Sequence, residues 1–401
     1  MATKKQAGRA AAKKRSFHQD LVLNRWVLRF FHGGTLAALK ARLGDDRFEG
    51  IDEDGQTKFF HELTRGLFDP NKVPETDLRR YDLNVVAHWQ AITTQRNKLE
   101  GFELQMKYFQ YLSLLFTELY LDWYFNHRQA LLDGLNEELA RYRAESGAEP
   151  FHDFEADDLN KIAFWNATGS GKTLLLHVNI KQYLHYFQAG CGDHYPDKII
   201  LLTPNEGLSH QHLQELELSG FSFSQFFNKA QSPTRGAVEI IDINKLGDEM
   251  GDKTVAVEAF EGNNLVLVDE GHRGAGTAAG AWMARREALV SKGFAFEYSA
   301  TFGQAVAKGM TVAAAEEDIQ KKRAKMLFNT TSLRSLDEGQ KAQLALTAED
   351  KRRARITATR EVYAKCILFD YSYKFFYEDG YGKESLILNM NGEVYEQADN
   401  A

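Results

Sequence analysis

The stretch Asn166-Ala167-Thr168-Gly169-Ser170-Gly171-Lys172-Thr173 follows the apolar run Ile162-Ala163-Phe164-Trp165 and precedes Leu174-Leu175-Leu176-His177-Val178. A buried strand, a glycine-rich turn and an apolar-periodic helix, in that order, leave few folds open to the chain. Glycine lets successive backbone N–H groups curl around phosphate oxygens where a side chain would obstruct them. The same amides begin a helix, whose dipole favours an anion. Thr168, Gly169, Ser170, Gly171, Lys172 and Thr173 are therefore read as a phosphate cradle. Lys172 reaches the terminal phosphates and the Thr173 hydroxyl holds Mg²⁺. The plainer alternative, a Gly/Ser turn that happens to precede a helix, is disfavoured by the strand in front of it. The usual pattern opens with glycine, and here Asn166 stands in that place.

A second segment narrows the chemistry. Leu265-Val266-Leu267-Val268 is short and wholly apolar, as central parallel strands are, and it runs into Asp269-Glu270-Gly271-His272. Two adjacent carboxylates at the end of a buried strand are costly unless a cation or proton chemistry uses them. Asp269 is read as the residue that positions Mg²⁺, through water, and Glu270 as the general base that polarises an attacking water. The competing view is a solvated strand end carrying two surface acids. The phosphate cradle upstream argues against it.

Apolar runs at 161–166, 198–203, 237–242, 264–269 and 294–299 alternate with helical stretches, which predicts a parallel sheet covered on both faces. Residues 1–16 carry Lys4, Lys5, Arg9, Lys13, Lys14 and Arg15 without an acid and read as a disordered basic arm. Residues 17–98 read as a mainly helical amino-terminal region, with helices over 20–31, closed by Gly33-Gly34, and over 35–43, and a turn-rich stretch at 45–56. The segment 102–125 is apolar on nearly every face and predicts a helix buried between layers. Within a nucleotide-binding unit spanning 99–305, residues 128–160 form an acidic connection, and 133–158 with Gly147 and Pro150 read as solvated. Residues 306–365, rich in Lys, Arg, Glu and Ala, read as a helical insertion or linker.

Composition mostly excludes. With 401 residues, 43% hydrophobic and 26% charged, the chain has the make-up of an ordinary soluble globular protein. No apolar stretch approaches membrane-spanning length, and the two cysteines, Cys191 and Cys366, suit a reducing cytoplasm. The net charge of −7 means that any nucleic acid must be met by a local surface. His210 and His212, with His194 and Cys191 upstream, lack third and fourth ligands at a recognised zinc spacing. Residues 1–95 show no nuclease constellation.

Two further stretches complete an ordered set. Leu202-Thr203-Pro204-Asn205-Glu206-Gly207-Leu208-Ser209-His210-Gln211 follows the second apolar run, and Tyr298-Ser299-Ala300-Thr301 ends the last. With the cradle and Asp-Glu-Gly-His they stand in the order of motifs one, one-a, two and three of the superfamily-two helicases. Over roughly 100–305 the chain resembles the DEAD/DEAH-box helicases related to the helicase (Res) subunit of type III restriction enzymes. That superfamily commonly relaxes the first glycine, which accommodates Asn166. The resemblance implies an α/β fold with a P-loop RecA-like parallel sheet flanked by helices, a mainly helical amino-terminal extension and a helical carboxy-terminal segment. It implies ATP and Mg²⁺ as cofactors, nucleic acid as partner (DNA in preference to RNA), and a place in a restriction or phage-defence complex beside methyltransferase or nuclease subunits.

The resemblance also assigns residues. Lys107-Tyr108-Phe109-Gln110 resembles the Q-motif, whose Gln reads the adenine edge; a Gln on a buried helix satisfied by backbone is the equal alternative. Thr203, Pro204, Asn205 and Gln211 lie in the strand-contacting stretch, against the alternative of a plain loop with a helix cap. Ser299, Thr301 and His272 would couple the two sites, although a lone His is often simply packed. The arginine-bearing Gln-x-x-Gly-Arg-type motif of a second lobe does not follow Thr301, and 366–401 resembles the start of that lobe, cut short. The chain is therefore expected to be an ATP-dependent DNA helicase or translocase represented by its first lobe, hydrolysing ATP weakly alone. The alternatives are a P-loop ATPase, or an ATP-binding interaction module, without unwinding activity.

Overall fold

Strands that are apolar at consecutive positions must be covered on both faces, and the chain does this with two helical layers. The computed structural model describes residues 16–146, 151–192, 194–227, 234–247, 255–256, 262–270, 288–290, 292–309 and 311–382. Its strands are β1 (Lys161–Asn166), β2 (Ile199–Thr203), β3 (Gln225–Phe226), β4 (Val238–Asp242), β5 (Leu246–Gly247), β6 (Val255–Ala256), β7 (Leu265–Asp269), β8 (Phe294–Ser299) and β9 (Ile367–Tyr371). Seven form one sheet in the order β3-β4-β2-β7-β8-β1-β9, every pair parallel, while β5 and β6 pair apart. This is the RecA-like α/β architecture, and the five strands expected from apolar runs are all present within one residue of their expected bounds.

The helices are α1 (Val22–Leu28), α2 (Leu36–Leu43), α3 (Lys58–Thr64), α4 (Glu75–Glu100), α5 (Tyr108–Asn126), α6 (Arg128–Ser146), α7 (Lys172–Cys191), α8 (Glu206–Leu218), α9 (Phe302–Lys308), α10 (Val312–Phe328), α11 (Glu338–Ala342), α12 (Ala348–Thr357), α13 (Thr359–Cys366) and α14 (Tyr373–Glu378). Successive strand side chains point to opposite faces. Ile162, Phe164, Leu265, Leu267, Phe296 and Tyr298 accordingly pack with α4, α5 and α7. Ala163, Trp165, Val266, Val268 and Ala295 pack with Phe302 of α9 and Tyr363 and Cys366 of α13.

Three expectations need correction. Residues 366–401 were expected to open a second lobe, but β9 completes the first lobe's sheet by pairing parallel to β1. The physical reason is that β1, the strand carrying the glycine-rich loop, would otherwise be an edge with unpaired N–H and C=O groups. Residues 383–401 lie outside the described residues. The acidic connection at 128–160 is helical over its first half: α6 buries Leu131, Leu135, Leu139 and Tyr142 while its acids face outward or pair with Arg25 of α1 and with Arg29, which caps that helix. Gly134 faces the Trp26 indole, where a Cβ would meet Nε1 at 3.0 Å, so the glycine lets α1 and α6 approach. Finally, the helix expected over 102–125 begins at Tyr108, leaving Phe102 exposed.

The amino-terminal helices pack into the same core. Val22, Leu28, Phe31, Phe59 and Leu63 share one buried cluster with the sheet. Asn24 of α1 donates to the Leu368 carbonyl of β9 at 2.8 Å. The basic arm expected at 1–16 lies outside the described residues except for Ser16. Of the linker expected at 306–365, α10 and the turns that follow enclose a small core of Ala324, Leu336 and Leu344, whereas α13 is buried under the sheet. Among the described residues no helix is long and apolar enough to cross a membrane.

Candidate active site

Strand order explains why residues far apart in sequence meet. The run β7-β8-β1-β9 sets four carboxyl ends side by side, with Asp269 opposite Tyr298, Trp165 opposite Ser299 and Asn166 opposite Tyr371. Ligands of open α/β sheets bind at such a row of carboxyl ends. The loop leaving β1 is drawn into a curl by Ser170, whose backbone N–H and side-chain hydroxyl both donate to the Ala167 carbonyl, at 3.2 and 2.8 Å. Ala167 N–H in turn donates to the Tyr371 carbonyl at 2.9 Å, so the edge strand holds the loop's base. Gly169 and Gly171 take φ of +89° and +85°, the left-handed region that side chains resist. Gly171 caps α7 without any side-chain hydrogen bond, which leaves the first amides of the helix open to an anion. Asn166 is fully buried, and neither atom of its side-chain amide has a hydrogen-bond partner among the described residues. A glycine cradle, open helix amides and an orphaned amide fit a bound polyphosphate.

The two adjacent acids face different partners. Glu270 sits at φ +50° and its N–H donates to the Tyr298 carbonyl at 2.9 Å, which turns its carboxylate toward the loop. Oε1 accepts from Lys172 Nζ at 2.6 Å and from Ala300 N–H at 2.9 Å, while Oε2 accepts from Ser299 Oγ at 2.7 Å. Burial pushes the Glu270 carboxyl up, but the Lys172 charge and the hydrogen bonds from Lys172, Ala300 and Ser299 outweigh it and hold the group below its ordinary value. Ser299 Oγ also accepts from Thr301 N–H at 2.9 Å and lies 3.5 Å from the Thr301 hydroxyl. Ser299 and Thr301 are thus gathered against the expected base. Asp269, on the same strand end, points elsewhere: its Oδ2 lies 3.0 Å from His212 Nε2 of α8. Thr173 follows Lys172 in the first turn of α7.

Residues 125–304 match the family model of the type III restriction enzyme, res subunit. This segment is a ResIII domain, the amino-terminal lobe of a superfamily-two helicase family. No curated protein matches the chain. The ResIII match includes the loop, the acidic pair and Ser299–Thr301; it begins at the last two residues of α5 and ends before β9. Gln110 of α5 and Tyr371 of β9, both outside the match, nonetheless touch the loop.

Gln110 on α5 is brought to the cradle of the ResIII domain, and both ends of its amide are engaged there. Nε2 donates to the Ser170 carbonyl at 3.1 Å and Oε1 accepts from Lys107 N–H at 3.0 Å, closing the start of α5. A Cβ on Gly171 would collide with Nε2. Of the strand-contact residues, Thr203 is fully buried and its hydroxyl meets Ser209 Oγ at 2.6 Å, so it has no free face for a strand. Asn205 caps α8 through Leu208 N–H at 3.0 Å, as the plain alternative anticipated. Pro204 is half-buried and its carbonyl accepts from Asn244 at 3.1 Å, whereas Gln211 is exposed on α8. His272 lies outside the described residues. Two contributors escaped the sequence: Tyr371, which carries no side-chain signal because it acts through its carbonyl, and His212, one residue beyond the strand-contact stretch and considered only as a zinc ligand.

Proposed function

We propose that this lobe binds ATP with Mg²⁺ and hydrolyses it in response to single-stranded DNA, as the first lobe of a DNA helicase or translocase of a type III restriction-like or phage-defence system. The observation that carries the proposal is the Glu270 carboxylate, held between Lys172 and the hydroxyl of Ser299. Lys172 can exchange this carboxylate for the terminal phosphates, as a point charge on a flexible stem. Glu270 is then free to take the proton of a water whose oxygen bonds to the γ-phosphorus while the bond to the ADP oxygen breaks. Thr173 and Asp269 are the residues that would hold Mg²⁺, which neutralises charge on the phosphate oxygens when bound. Ser299 and Thr301 would report the state of Glu270 to a strand lying along α8, where Gln211 offers an exposed amide that can meet phosphates without reading bases. Methyltransferase or nuclease subunits in the cytoplasm are the proposed partners, in keeping with the ResIII family.

The test measures ATP turnover by the chain with and without a single-stranded oligonucleotide at low and high salt. Stimulation that fades with salt, together with loss of Mg·ATP binding in Lys172→Ala, is the expected result. Turnover indifferent to DNA would assign the lobe to a P-loop ATPase without a nucleic-acid role. Binding without turnover would make it an ATP-dependent interaction module.

A further inference from the structure

His212 belongs to none of the motif positions, yet it is buried and its Nε2 stands 3.0 Å from Asp269 Oδ2. A carboxylate only accepts, so Nε2 carries the proton and donates it. Nδ1 is also buried and has no hydrogen-bond partner among the described residues, so Asp269 is the ring's polar partner. The ring sits on α8, whose first turn is pinned by Asn205 and by the contact between Thr203 and Ser209. One turn further, Glu215 of the same helix is ion-paired to Arg96 of α4 at 2.5 Å. Helix α8 is therefore a braced rod that begins at the proposed strand-contact stretch and ends its reach on the carboxylate proposed for Mg²⁺.

We propose that His212 is a positioning residue that orients Asp269 and mechanically joins the metal-binding carboxylate to the strand-contacting helix. This deepens the ATPase reading and rests on it. A carboxylate with one oxygen fixed by an N–H presents the other in a defined direction, and partners of this kind tune a metal site without touching the metal. The consequence is that a strand shifting α8 moves Asp269 through one hydrogen bond, independently of the path through Ser299 and Thr301.

The test uses the 1–401 chain with Mn²⁺ as the metal probe and a non-hydrolysable ATP analogue, comparing wild type, His212→Leu and His212→Gln. Gln places an amide N–H the same number of bonds from Cα as Nε2, so it retains the donor. Fluorescent ADP binding in EDTA should be alike in all three, showing that the fold and cradle are intact. Mn²⁺ affinity, read by electron paramagnetic resonance, should fall by roughly 10–100-fold in His212→Leu and return to the wild-type range in His212→Gln. Adding a single-stranded oligonucleotide should shift Mn²⁺ affinity in wild type and not in His212→Leu. Unchanged Mn²⁺ affinity in His212→Leu overturns this inference alone, and failure of His212→Gln to recover also overturns it. A wild-type chain that binds no Mn²⁺ with nucleotide overturns the ATPase reading as well.

Discussion

Two buried carboxylates, Glu270 just past the carboxyl end of β7 and Glu118 in α5, are both rich in hydrogen bonds and end in opposite electrostatic states. Glu270 has Ala300 N–H and Ser299 Oγ as neutral donors and Lys172 Nζ at 2.6 Å as a cation, and its carboxyl is held low. Glu118 is fully buried and accepts from Gln182 Nε2 at 2.8 Å, Tyr186 OH at 2.7 Å and Asn84 Nδ2 at 3.0 Å. None of these donors is charged, and burial pushes the Glu118 carboxyl up to about 7. Neutral donors do not repay the desolvation of a charge, whereas a cation in contact does. The difference separates an ion pair, whose lysine is proposed to leave for a phosphate, from a closed network that holds α4, α5 and α7 together. Gln182 extends that network through Asn179 (2.8 Å) to the Tyr298 hydroxyl (2.6 Å), so the closed network reaches the strand that also carries Ser299.

The comparison breaks most visibly at the exchangeable member. Glu270→Gln removes the proposed base and keeps the shape, so ATP turnover should fall by about 10²–10⁴-fold. Nucleotide affinity should hold or rise, because Lys172 no longer has a carboxylate to leave; equal loss of binding and turnover, measured by single-turnover kinetics beside equilibrium binding, would merge two roles kept apart here.

The closed member should instead show in stability. An acid whose folded pKa is raised from 4.5 to about 7 holds its proton in the folded state after the unfolded chain has released it. Unfolding free energy should therefore decline as pH rises from about 4.5 to about 7 and level off above, by on the order of 3 kcal/mol at most. Glu118→Gln mimics the protonated form and should flatten this part of the curve in urea unfolding across pH. An unaltered slope would mean that Glu118 is ionised in the folded protein and resembles Glu270 more than its partners suggest.

The smallest effect concerns Gln110, which stands between the two regions, on α5 with Glu118 and against the loop with Lys172. Both ends of its amide are bound to backbone, so Gln110→Ala should weaken ATP and GTP alike, by about 1 kcal/mol for a hydrogen bond that fixes the loop. A competition assay in which ATP alone weakens would restore the adenine-reading role.

Much of this molecule is decided by short-range order. Ile162-Ala163-Phe164-Trp165 and Leu265-Val266-Leu267-Val268 are apolar at every position, which only a strand covered on both faces tolerates, and they are β1 and β7. The loop conformation follows from Gly169 and Gly171, and the acids at 269 and 270 fall where a strand must end. The helix at 128–146 was also legible: Leu131, Leu135, Leu139 and Tyr142 recur at helical spacing, and the acids between them masked the pattern. What the chain order could not tell was which side chains meet across elements. Ile367-Leu368-Phe369-Asp370-Tyr371 is as apolar as the other strands, but no local signal says that it closes the edge of β1 and lends a carbonyl to the loop. The pairing of Lys172 with Glu270 and of His212 with Asp269 depends on the strand order β2-β7-β8-β1 and on where α8 packs. Those are long-range choices settled by the packing of two helical layers on one sheet, where each contact depends on all the others.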